Sequence, residues 1–62
     1  MTHLVKIITY SVKEAVEVRL NDHKIIYVSH DVHGWEAMNE AKAAAYRLTM
    51  LLSAGLLEIE DD

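Results

Sequence analysis

Hydrophobic and polar positions alternate through the first half of the chain, and the period changes near residue 31. Residues 4–10 (Leu-Val-Lys-Ile-Ile-Thr-Tyr) are rich in β-branched and aromatic types, which predicts a strand. Residues 15–20 (Ala-Val-Glu-Val-Arg-Leu) alternate cleanly and predict a second strand, and residues 25–30 (Ile-Ile-Tyr-Val-Ser-His) a third. Asn21-Asp22-His23-Lys24 reads as the turn between the second and third, because Asn and Asp tolerate the left-handed conformations of tight hairpins. Ser11-Val12-Lys13-Glu14 gives a weaker turn signal. The expected first half is a three-stranded antiparallel β-meander. From Val32 to Ala54 the chain is dense in Ala, Leu, Met, Glu and Lys, so one long helix is expected. Asp31 is its candidate N-cap and Gly55 its left-handed C-cap, with Leu56 folding back onto Leu51. Leu57-Glu58-Ile59-Glu60 alternates again and admits a short fourth strand. The fold class is therefore α+β, a meander followed by one long C-terminal helix.

Register decides which side chains share a face of the sheet. With Leu20 opposite Ile25 and Tyr10 opposite Ala15, one face collects Val5, Ile7, Val16, Val18, Leu20, Ile25 and Tyr27 for the helix to cover. The other face would then carry Ile8, Ile26 and Val28 among Leu4, Lys6, Tyr10, Glu17, Arg19 and His30. That second face is half apolar. The helix has its own surplus. At 100° per residue, Ala37, Met38, Ala41, Ala44, Ala45, Leu48, Leu51 and Leu52 form one broad stripe. A second line, Trp35, Asn39, Lys42, Tyr46 and Met50, is expected nearly opposite it. Trp, Tyr and Met are enriched where proteins meet. Trp35, Tyr46 and Met50 on the helix, and Ile8, Ile26 and Val28 on the sheet, are thus the candidate partner-binding residues.

Composition sharpens this picture. Sixty-two residues form a single domain, and a chain this short is marginally stable alone. Disulfides, a structural metal or oligomerisation are the usual supports. With no cysteine, the first is removed, thiolate zinc sites are excluded, and a reducing cytoplasmic setting fits. A homo-oligomer, most simply a dimer, is the expected remedy. Six basic and ten acidic residues give a net charge of −4, with the bases scattered rather than striped. Nucleic-acid binding depends on neutralising phosphates, so this balance argues against it. Residues 58–62 hold Glu58, Glu60, Asp61 and Asp62, an acidic tail that reads as a solvated end or as a lure for a basic groove. The longest apolar runs are far too short to span a membrane, and the first residues lack the pattern of a secretion signal.

The chemistry of catalysis is not legible in this chain. Ser11, Ser29 and Ser53 lack the glycine-flanked elbow of hydrolase nucleophiles. Gly34 alone before a helix is not a phosphate-binding loop. Register places His3 near His23, but His30 and His33 about 20 Å away at the other end of the strands. Zinc takes three or four protein ligands, which neither pair supplies within one copy. No metal, cofactor or catalytic residue is expected.

In size and layout the chain resembles small regulators encoded by phages and mobile elements: strands, one helix and an acidic end in 62 residues. That resemblance implies a protein that binds and blocks another protein. Three function classes follow from the residues. The first is a non-catalytic protein-binding module acting stoichiometrically as an inhibitor or regulator. The second is a self-assembling structural subunit, and the third a small ligand or metal binder with its site at a subunit boundary.

Overall fold

The computed structural model describes residues 2–62. Its elements follow in the order β1 (His3–Tyr10), β2 (Ala15–Leu20), β3 (His23–Ser29), α1 (His30–Leu51) and β4 (Gly55–Asp61). They form one mixed sheet of order β3-β2-β1-β4, with β1–β2 and β2–β3 antiparallel and β4 parallel to β1. Parallel pairing needs a crossover of a dozen or more residues, and α1 provides it across one face of the sheet. The fourth strand is longer than its alternating residues foretell. It begins at Gly55, and the acidic end is part of it: the Asp62 N–H donates to the Thr9 carbonyl (2.8 Å), and the Asp62 carbonyl accepts from the Ser11 N–H (3.1 Å). The acidic segment is a sheet edge rather than a free tail.

Register is as expected at the first hairpin, where Tyr10 faces Ala15 and Ile7 faces Val18. It differs at the second. Asn21 and Asp22 both take positive φ (50° and 70°), so the turn needs only these two residues and Leu20 pairs with His23, not Ile25. Asn21 is held there by β1: its Oδ1 accepts from the Leu4 N–H, and its own N–H donates to the Leu4 carbonyl, both at 2.9 Å. A bulge between Val18 and Arg19 leaves Ile25 without a partner, after which Val18 faces Ile26 and Val16 faces Val28. The net slip of one residue turns β3 over. Ile26 and Val28 therefore pack against the core under α1, and Tyr27, opposite Glu17, lies on the other face.

The core is Val5, Ile7, Val16 and Val18 from the sheet with Met38, Ala41 and Ala45 from the helix. Leu48, Leu52 and Leu57 extend it, along with Leu20, Ile26 and Val28. Alanine at 41 and 45 brings the helix backbone close to the sheet. Leu51 departs from the expected stripe: it is 84% exposed, because it points roughly 110° around the helix from Met38, Ala41 and Ala45, and α1 ends there rather than at residue 54. The helix also starts earlier than expected. Ser29, not Asp31, is the cap residue, and its N–H donates to the His33 ring nitrogen at 3.2 Å. Gly34 (φ 84°, ψ 168°) separates this first turn from the main helix, a conformation that glycine adopts without steric cost.

At the other end, Ala54 (φ 55°) holds the left-handed position expected of Gly55. Leu56 and Leu51 are both exposed rather than folded together. Gly55 is needed for a different reason. A Cβ on it would sit 2.4 Å from the Thr49 carbonyl oxygen, so the chain passes too close to the helix end for any side chain.

Candidate protein-docking surface

The sheet face turned away from α1 closes itself with its own side chains. Ile8 lies in its middle but is only 6% exposed. Around it, Tyr10 donates its hydroxyl proton to the buried Glu17 carboxylate (3.3 Å), and Arg19 forms a hydrogen-bonded ion pair with the same group. Lys13 lies over the Tyr10 ring at 4.5 Å and Lys24 over Tyr27 at 5.5 Å. Lys6 pairs with Glu58 at 3.5 Å. The Arg19 hydrogen bond holds the Glu17 carboxyl below the usual carboxylate range against the opposing effect of burial. Partial burial and then the neighbouring Glu17 charge push the Tyr10 phenol upward. Glu and Arg two apart on one strand share a face, so this pair was recoverable from the sequence as Glu17-Val18-Arg19.

A depressed carboxylate contributes stability above its unfolded-state value and loses it as pH falls through the lower folded value. For Glu17 that window lies below 4.5, the ordinary value. Glu17→Gln is expected to flatten this part of the profile. Urea midpoints of parent and variant should differ most near neutral pH and converge in acid. A constant difference at every pH would show that the charge of Glu17 does not act on folding.

The helix surface is different. Trp35, Tyr46 and Met50 are 56%, 47% and 83% exposed, with Asn39 exposed between them and Lys42 half-buried. The line they make runs roughly 100° around α1 from Met38, Ala41 and Ala45. It is a flank of the helix rather than the far side expected from the spacing. Trp35 is the first residue beyond the Gly34 break, and its ring packs on His30 with centroids 4.2 Å apart. The Nδ1 of His30 in turn lies 3.4 Å from the Glu14 carboxylate, and the His30 backbone N–H donates to the Glu14 carbonyl (2.8 Å). The indole is thus seated at one end while one side stays open. Ile59 faces the same side of the sheet as the core residue Ile7 yet is exposed, so a single helix leaves the helix layer incomplete.

Of the six sequence-predicted contact residues, the structure brings Trp35, Tyr46 and Met50 together on one open flank. It buries Ile8 on the face that carries Glu17 and Arg19, and turns Ile26 and Val28 to the core. Leu51, beside Met50 at the helix end, joins the exposed apolar surface. The histidines are dispersed: His3 Nδ1 lies 3.1 Å from Asn21 Nδ2, and His33 is engaged with Ser29. Among the described residues there is no cavity and no group of three or more His, Asp or Glu placed to hold a metal. No helix among them is long and apolar enough to cross a membrane.

Fold and surface together define a two-layer α+β domain with one helix over a mixed four-stranded sheet. Comparison with protein-family models, curated proteins and solved structures finds no match to this chain.

Proposed function

We propose that this protein is a non-catalytic binding module that acts stoichiometrically on another protein, as an inhibitor or regulator, through the open flank of α1. The observation that carries this reading is the alignment of Trp35, Tyr46 and Met50, all exposed, along one side of a single helix. Isolated exposed apolar residues are ordinary. A line of three large ones on a domain this small is a surface that water covers poorly, and aromatic anchors of this kind carry much of the energy at interfaces. A cytoplasmic setting accords with the absence of cysteine, and the net charge of −4 favours a protein partner over a nucleic acid.

The test is capture from cell extract on immobilised protein, with parent and a Trp35→Ala/Tyr46→Ala variant compared side by side. Proteins held by the parent should be lost from the variant, while circular dichroism shows the same secondary structure for both. Hot-spot truncations of this type cost about 2 kcal/mol or more, a loss of roughly thirtyfold in affinity. Retention of the same proteins by both would place the contact surface elsewhere on the domain.

A further inference from the structure

The charges of α1 are sorted by halves. Asp31, Glu36 and Glu40 lie in its first half, Lys42 and Arg47 in its second. Helices that stabilise themselves by ion pairs place opposite charges three or four residues apart, and no two of these five are so placed. Glu36 and Glu40 are four apart and repel. Arg47 has alanine at 43 and 44, Met50 and Leu51 at those spacings. Among the described residues, Glu36, Glu40, Lys42 and Arg47 take part in no ion pair. The helix dipole favours Asp31 in the first turn and Glu36 in the turn after the Gly34 break, but it does not reach Glu40, Lys42 or Arg47, and the last turn of α1 holds no basic residue.

We infer that the flank of α1 docks the same flank of a second copy, with the two helices antiparallel. This rests on the reading of that flank as the docking surface: in the free protein the second copy covers it, and another protein binds there by displacing that copy. Antiparallel pairing sets Glu36 and Glu40 of each helix beside Arg47 of the other, with the two Lys42 side chains next to each other at the two-fold axis, whereas parallel pairing would set like against like along the whole helix. Centred between Lys42 and Ala43, it places Trp35 opposite Met50 of the second copy and Asn39 opposite Tyr46. The indole then meets a thioether, a favourable contact, and the amide meets a phenol with which it can hydrogen-bond. Arg47 of the second copy comes level with the stretch between Glu36 and Glu40. Such a contact is isologous, so each pair occurs twice.

Charge reversal tests the arrangement by sedimentation equilibrium. The parent should dimerise in the micromolar range. Glu36→Lys and Arg47→Glu should each weaken the dimer about tenfold or more by setting like charges together. Combined in one chain they should restore it, because the introduced lysine of each copy then faces the introduced glutamate of the other. Within one helix these positions are about 16 Å apart, too far for the restoration to arise inside a single copy. A parent that stays monomeric overturns the inference, yet leaves the capture experiment on Trp35 and Tyr46 to judge the flank as a docking surface. A dimer weakened by Trp35→Ala but indifferent to both reversals keeps the flank and overturns the antiparallel arrangement. A dimer indifferent to all of these variants overturns both.

Discussion

Gly55→Ala is expected to destabilise the domain by about 3 kcal/mol, the upper part of the range for forcing atoms into filled space. The obstacle is backbone: the added Cβ would meet the Thr49 carbonyl oxygen at 2.4 Å, and the Leu52 Cβ at 3.2 Å. Neither can rotate away, so the helix end and the start of β4 must separate. For a chain of this length, whole-domain stabilities run to about 3–9 kcal/mol, and such a loss removes a large part of it. Urea unfolding followed by circular dichroism measures it. A midpoint equal to that of the parent would mean that α1 and β4 approach less closely than described. The neighbouring Ala54, at φ 55°, supplies a contrast, since Gly is the residue that this backbone conformation favours.

Ala45→Leu carries the second large expectation, a loss of about 1–3 kcal/mol. Ala45 is completely buried, in the same cluster as Val5, Ile7, Val16 and Val18. The larger side chain there pushes the helix off the sheet, and Met38 and Ala41 lift with it. Leu51→Ala is the control, expected to change stability little because its side chain is in water. If the two substitutions cost the same, the helix is rotated from the position given to it.

These contrasts follow the boundary of what the residues disclose. The composition of β1, β2 and α1 names their type without ambiguity, and the alanines at 41 and 45 mark the side of the helix that approaches the sheet. The first hairpin keeps the register in which four turn residues place Val5 and Ile7 on the same face as Val16 and Val18. The second does not announce its length. Whether Asn21-Asp22 or Asn21-Asp22-His23-Lys24 makes the turn depends on two φ angles and on the tie from Asn21 to Leu4, a contact seventeen residues distant in the chain. Ile25, Ile26, Tyr27 and Val28 are apolar on both faces, so the pattern accepts either register. Only the bulge at Ile25 decides between them. The pairing of β4 with β1 is likewise set by the crossover geometry of α1 rather than by Leu57 to Glu60 themselves.

The candidate surface divides along the same line. Trp35, Tyr46 and Met50 are legible because spacings of three and four residues on a helix fix a common side whatever the tertiary context. Ile8, Ile26 and Val28 depend on register and on what neighbouring side chains do. The Tyr10, Glu17 and Arg19 contacts on the face that carries Ile8 are a matter of side-chain reach, which periodicity does not report.

Trp35 is the only tryptophan, which makes its emission a direct report on the flank of α1. Half-exposed in the free domain, the indole should emit as a solvated chromophore and be quenched readily by acrylamide. When a complex forms, by self-association or with a captured protein, the emission should move to shorter wavelength and quenching should fall. The change should follow the fraction bound measured by sedimentation on the same samples. Emission and quenching that stay those of the free domain while sedimentation shows the complex would contradict the assignment of the α1 flank as the surface through which this protein acts.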